Sequence, residues 1–174
     1  SEATRVAVIT DPERNEKMAI RGQAILPGIA VLDPSLLATL PAHIAAECGA
    51  DALTHAVEAY VSRQATLLTD QLALRAIELV GLHLPALVAD PADADAAEAM
   101  LLASHLAGRA FTHAGLGLVH SLGDPLGAFF HVSHGLSCAL FLPVVMDYNL
   151  TAAGERHERV ARALGGGGTA PELV

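Results

Sequence analysis

Along the first thirty-odd residues the apolar side chains come in short, partly β-branched runs, and from Pro34 onward they recur at helical spacing. Arg5 to Thr10 (RVAVIT) reads as a strand, Lys17 to Arg21 as a second and Ile29 to Leu32 as a third, with Asp11-Pro12 and Pro27-Gly28 as the turns between them. Strands this short, with no crossover helix, cannot bury a sheet alone, so residues 1–33 read as the edge of something larger. Prolines, glycines and capping residues punctuate the helical part. Pro41 suits a first helical turn and Gly49 a stop, giving one helix from Ala42 to Cys48 and a second from Asp51 to about Ser62. Thr69 or Asp70 caps a third that reaches Leu84 before Pro85, and Asp90-Pro91 opens a fourth that ends near Gly115 and Gly117. Short apolar helices at Gly117 to Leu122 and Ser133 to Asn149 follow, the last shifted or kinked by Pro143. The fold class is therefore mainly α, with a helical domain over residues 34–150. Residues 151–174, including the glycine run Gly165 to Gly168, read as an incomplete helix and a tail.

Composition narrows the picture. With 52% apolar and 3% aromatic residues and a mean hydropathy of +0.43, the core is aliphatic, built by Leu and Ala between helices. A net charge of −9 with ten Lys and Arg in all argues against nucleic acid as a partner, since a phosphate backbone must be met by clustered cations. The most apolar run, Leu136 to Met146, is about half of the ~20 residues a bilayer span needs, so no membrane segment is expected. Ser1 does not open a signal sequence. Cys48 and Cys138 lie in apolar surroundings and read as reduced, buried thiols of a cytoplasmic protein.

Nine histidines in such a chain invite a search for metal-ligand spacing. Asp51 and His55, four apart on a helix, share one face one turn apart, where two ligands can meet one cation. The same spacing also describes a solvated pair, but Ala52, Leu53, Ala56 and Val57 make this face apolar, and a buried carboxylate needs a partner. The stretch from Gly115 to Gly135 sets His120, His131 and His134 among glycines and apolar residues. A core histidine satisfied by backbone is the alternative for each, and His131 reads as a loop or surface residue. A mixed carboxylate and imidazole set suits Fe(II) or Zn(II) better than calcium or magnesium. His43, His83, His105, His113 and His157 have no partner at ligand spacing and read as packing residues, and Glu58 reads by default as a helix-surface residue, its alternative being to orient a ligand.

Several motifs in these residues resemble the iron-containing (group III) alcohol dehydrogenases of the dehydroquinate-synthase-like fold. Asp33-Pro34 with Leu40-Pro41 is similar to the family's DP…LP segment, and Gly49-Ala-Asp51-Ala-Leu-Thr-His55-Ala-Val-Glu58 to its G-x-D-A-L-T-H-A-x-E signature. Gly117-Leu-Val-His120 with Pro125-Leu-Gly127, then His134-Gly135 and Leu142-Pro143 up to Asn149, resembles the second signature. The likeness runs from Ser1 to about Asn149. It implies that Asp51, His55, His120 and His134 hold a divalent metal, Fe2+, Zn2+ or another, and that Lys17 and, more weakly, Thr4 lie near an NAD or NADP cofactor. For Lys17 the alternative is an exposed strand-turn lysine. Ser1-Glu2-Ala3-Thr4 resembles the end of the family's G-T-G-S-E-x-T loop, so the short strands are expected to be left from an α/β nucleotide-binding domain upstream. Asp124 stands where the family usually has a histidine assigned to proton relay, and a carboxylate there could serve as base or bind the metal.

The resemblance implies an iron-type, NAD(P)-dependent alcohol dehydrogenase whose partner is a small alcohol or aldehyde, with a homodimer admitted. The metal would be a Lewis acid that lowers the alcohol's pKa and favours hydride expulsion. Two other readings use the same residues: a noncatalytic helical module that binds metal or a partner, and metal-dependent hydrolysis by a bound water.

Overall fold

The computed structural model describes residues 3–14 and 16–165, with Thr10, Glu16 and Lys17 as backbone alone. Its two strands, β1 (Val6–Asp11) and β2 (Glu16–Arg21), pair antiparallel in a register from Val6↔Arg21 to Asp11↔Glu16. The Asp11 carboxylate accepts the Glu13 and Arg14 amides and so shapes the turn. The expected third strand is not formed. Ile29 and Val31 stand 84% and 80% exposed in irregular chain, with no strand beside them among the described residues to take up their amides.

Among the described residues five α-helices follow: α1 (Ala42–Val61), α2 (Leu67–Ala89), α3 (Ala94–Ala114), α4 (Leu118–Phe130) and α5 (His134–Ala163). The architecture is thus mainly α, as the pattern implies. Helices α1, α2 and α3 pack on one another, and α5 lies against α1 and α4. Small residues dominate the central contact, with Ala56, Ala59, Ala73, Ala76, Ala107 and Ala110 buried around Tyr60, Ile77 and Val160. A second cluster joins Leu79, Val80 and Leu87 of α2 to Ala96, Met100 and Ala103 of α3.

Where local signals imply breaks, the chain runs on. Gly49 lies inside α1, where α2 packs against it and a Cβ would overlap the Leu84 side chain. Helix α2 starts earlier than expected, with Thr66 and Thr69 forming a reciprocal cap, and continues through Pro85. A proline inside a helix costs about 3 kcal/mol, a cost that burial of Leu79, Val80 and Leu87 offsets. Asp93, whose side chain accepts the Ala96 amide, starts α3, whereas Asp90 closes the preceding turn through the Ala92 amide. Its end at Gly115, with φ of 78°, is where the sequence places it. Helix α4 passes Leu122 and Pro125 to Phe130, and α5 passes Pro143 and Asn149 to Ala163 with one non-helical residue, Ala153. The second half of α5 is a core element, not a tail, because Val160 and Ala161 are buried. Residues 166–174, most of the expected glycine-rich tail, lie outside the described residues.

This lengthening bears on the membrane expectation. Among the described residues, α2 and α5 are long and apolar enough to cross a bilayer, by length and composition only. Both nonetheless place their buried residues in the helical core, α2 against α1 and α3 and α5 against α1.

Candidate metal centre

Three helix segments meet at one point. Helix α1 presents Asp51 and, one turn later, His55 on a common face. His120 stands in the first turn of α4, and His134 is the first residue of α5. Ser133 caps α5 by accepting the Leu136 amide. Next to His134, Gly135 lets the α5 start touch the α1 backbone: a Cβ would overlap the Glu47 carbonyl. That contact brings His134 over Asp51.

The Asp51 Oδ1 atom lies 3.3 Å from His134 Nε2 and 3.6 Å from His120 Nε2. Cys138, one turn along α5 from His134, places Sγ 3.6 Å from Asp51 Oδ1, 3.8 Å from His134 Nε2 and 4.0 Å from His120 Nε2. These four donors all lie within 4.8 Å of one another. His55 lies beside this group, its Nδ1 3.6 Å from the other Asp51 oxygen and its ring stacked on His120 and Phe111, centroids 4.5 Å from each. Asp124 Oδ1 is 3.8 Å from His134 Nδ1 and half exposed. Thr4 is away from the cluster, buried, with its hydroxyl donating to the Val6 carbonyl at 2.9 Å. The Lys17 side chain lies outside the described residues.

Glu58 departs from its default surface reading. It is 5% exposed, and its carboxylate accepts the Gly117 amide at 2.8 Å, the Val119 amide at 2.6 Å and His120 Nδ1 at 2.7 Å. Gly117 offers α4 no side-chain cap, so Glu58 supplies the anion that the helix start requires. The same bond places a His120 proton on Nδ1 and points Nε2 toward Asp51, where it donates to the carboxylate in the absence of a metal and could turn a lone pair to one in its presence. Gly117 has no room for a Cβ, which would come within 2.9 Å of a Glu58 oxygen.

Charge balance follows from this packing. Burial pushes the Asp51 carboxyl up, but hydrogen bonds from His120 and His134 prevail and hold it far below the ordinary carboxylate range. Burial also works against a charged His120, yet its bonds to Asp51, Cys138 and Glu58 raise it to about 11. His134 is raised to about 9 chiefly by its bond to Asp51. His55, largely desolvated by its stacked neighbours and without such a bond, falls to about 4. Burial raises the Cys138 thiol, and the two imidazoles beside it more than reverse that. A compact anion flanked by proton-holding imidazoles is a site where a dication can take the place of the protons.

The donor chemistry fits a divalent transition metal: one carboxylate, imidazole nitrogens and a thiol, with a second carboxylate orienting one imidazole. One wall of an adjoining cleft of about 730 Å³ carries His120 and Asp124, and Arg5, Arg21, Gln64 and Phe111 line the rest. Cys138 is the member that sequence reading passed over as an inert thiol. Its signal was present as the four-residue spacing His134–Cys138, the same spacing as Asp51–His55. His131 ends α4 in the left-handed region, φ 56°, in keeping with a loop role.

Comparison with known proteins agrees with these features. The profile described as Fe-containing alcohol dehydrogenase family, C-terminal, matches residues 45–173. The chain is 44% identical, over 94% of its length, to a probable alcohol dehydrogenase EutG of Escherichia coli (strain K12), of which it covers 42%. It is 42% identical, over 95% of its length, to an NAD-dependent methanol dehydrogenase of Bacillus methanolicus, of which it covers 43%. A crystal structure of 1,3-propanediol oxidoreductase superposes with a TM-score of 0.92 at 39% identity, covering 99% of this chain and 46% of that one. The chain thus spans less than half the length of these relatives.

Proposed function

The chain belongs to the iron-containing alcohol dehydrogenase family, and from that premise we propose that it carries the metal site of an oxidoreductase moving hydride between an alcohol and the nicotinamide of NAD(P). The observation that carries this reading is the meeting of Asp51, His120 and His134 at one point, with His120 also lining the 730 Å³ cleft. We assign these three residues as ligands, with His55 as the fourth member that the family resemblance implies. A divalent ion held there, Fe2+ or Zn2+, supplies Lewis-acid polarisation of the substrate oxygen.

The chain's own residues do the rest. Glu58 fixes the tautomer and direction of His120, so the ligand is pre-set before any metal arrives. Asp124 sits on the cleft wall within 3.8 Å of His134 Nδ1, where it can take or return the proton that alcohol oxidation releases. Phe111 lines the cleft and holds His55 in its stack, giving the reacting end an apolar side that limits water. Nucleotide contacts by Lys17 and Thr4 belong to the same proposal, as do an alcohol or aldehyde substrate, a cytoplasmic location in which Cys48 and Cys138 stay reduced, and the absence of a nucleic acid or membrane partner.

The test is metal content of protein purified without affinity-tag metals, unmodified and as His120→Ala, followed by nicotinamide-linked alcohol oxidation with the nucleotide-binding part supplied. Near-stoichiometric metal that disappears in the variant, with turnover in the unmodified protein, is the expected result. A protein that holds no metal after anaerobic loading, or holds it equally without His120, overturns the reading.

A further inference from the structure

The cleft beside the metal centre carries a charge pattern that neither metal binding nor hydride transfer uses. In a chain of net charge −9 with ten Lys and Arg in all, Arg5 and Arg21 both line this cleft, together with His120 and Asp124. The hairpin brings the two arginines to one place. Val6 pairs with Arg21 at the open end of the ribbon, so these two side chains share a face. The Gly22 amide donates to the Arg5 carbonyl at 3.0 Å and closes the same end. Arg5 Nη2 lies 3.5 Å from the Thr112 carbonyl of α3, which ties its side chain to the cleft wall. Both arginines are exposed. The ion pairs of the described arginines involve Arg14, Arg75, Arg156 and Arg162, and neither Arg5 nor Arg21 is among them. Among the described lining residues Asp124 is the one acid, so the cleft has a positive balance before any metal is added. Gln64 adds a neutral amide, and Val6, Phe111 and Leu116 add apolar surface.

We propose that the substrate of this protein bears an oxyanion group, typified by a carboxylate, besides its alcohol or aldehyde, and that Arg21 with Arg5 binds that group while the reacting oxygen faces the metal site. The inference rests on the dehydrogenase reading above and deepens it by naming the substrate class. A guanidinium presents a planar fork of donors that matches the two oxygens of a carboxylate. Walls of low dielectric focus the field of charges that line a cleft, so an anion is drawn into this one although the protein as a whole repels it. Binding energy gained at such a remote group holds the reacting end in place, a gain that a plain alcohol cannot draw from either arginine. The phosphates of the nucleotide offer the same oxyanion chemistry, and the experiment separates the two sources.

The experiment compares γ-hydroxybutyrate with n-butanol as substrates of the metal-loaded protein, with the nucleotide-binding part supplied. The proteins are the unmodified chain, Arg21→Gln, Arg5→Gln and, as a control for net charge, Arg75→Gln, with helix content checked by circular dichroism. The unmodified protein is expected to favour the hydroxy acid in kcat/KM by at least about tenfold, and this preference should shrink as salt is added. R21Q should raise KM for the hydroxy acid about tenfold more than KM for butanol, R5Q should act in the same direction, and R75Q should leave the preference in place. Apart from turnover, saturation-transfer NMR should detect butyrate, which cannot be oxidised at this site, on the unmodified protein and only weakly on R21Q. Equal use of the two substrates by the unmodified protein overturns the inference and leaves the dehydrogenase reading standing. So does an R21Q defect that falls on KM for NAD(P) alike with either substrate, which gives the arginines to the nucleotide phosphates. Turnover of neither substrate by the metal-loaded protein overturns both readings.

Discussion

Replacing Glu58 with Gln tests how much of the site is set by one buried carboxylate. Its three partners, the Gly117 and Val119 amides and His120 Nδ1, all donate, and they divide between its two oxygens, with Gly117 and His120 on Oε2 and Val119 on Oε1. A glutamine offers one acceptor oxygen and one donor group. With the oxygen at the Oε2 position, the Val119 N–H faces an amide N–H. With the oxygen at the Oε1 position, the Gly117 bond is lost and His120 can be satisfied only by moving its proton to Nε2, the nitrogen assigned to the metal. One buried donor left unpaired costs about 1–3 kcal/mol, so Glu58→Gln should destabilise the metal-free chain by about 2 kcal/mol. Loss of the orienting bond should weaken metal binding about 10–100-fold. Glu58→Ala, which leaves all three donors without a partner, should cost more, about 3–5 kcal/mol. Urea unfolding of the metal-free protein gives the first quantity and competition with a calibrated chelator the second. A Gln variant within about 0.5 kcal/mol of the unmodified protein and within about twofold in metal affinity would refute the reasoning.

Other expectations concern the packing around the site. Gly135→Ala, which sets a methyl group against the Glu47 carbonyl, should cost about 1–3 kcal/mol and weaken metal binding, because α5 must retreat from α1. Gly154→Ala has open space around it and should raise stability by about 0.5–1 kcal/mol; thermal unfolding that ranks the two alike would contradict both assignments. Arg156→Ala removes a bond to the Tyr60 carbonyl, an ion pair with Asp70 and a guanidinium 4.0 Å above the Tyr60 ring. It should cost about 2 kcal/mol at unchanged metal affinity. His157 is fully buried, and burial holds it below the ordinary imidazole range, offset in part by the Ala153 backbone. Its folded-state value is the lower one, so its contribution is complete above the unfolded value of about 6.5 and lost as pH falls below it. The urea midpoint should therefore drop between pH 7 and pH 5 by a share absent from His157→Leu, and parallel pH profiles for the two proteins would count against this origin.

Much of this molecule was legible in local pattern. Helical periodicity after Pro34 announced a mainly α fold, Gly115 marked the end of α3, and the four-residue spacing of Asp51 and His55 put both on one face of α1. These features depend on residues within a turn or two of one another, and backbone geometry translates such spacing directly into direction. What local pattern could not decide is whether a helix-breaking residue breaks its helix. Gly49 and Gly135 are needed where two helices touch, and Pro85 and Pro143 are carried within helices anchored by buried Leu79, Val80 and Leu87 in α2 and buried Val145 and Met146 in α5. The same limit governs the site. Glu58 looks like a surface acid until α4 is laid across it, and Cys138 like an inert thiol until α5 sets it over Asp51. Sequence by itself determined which residues could share a helix face. Tertiary packing alone decided which faces meet, because burial and hydrogen-bond satisfaction are summed over groups sixty to ninety residues apart in the chain.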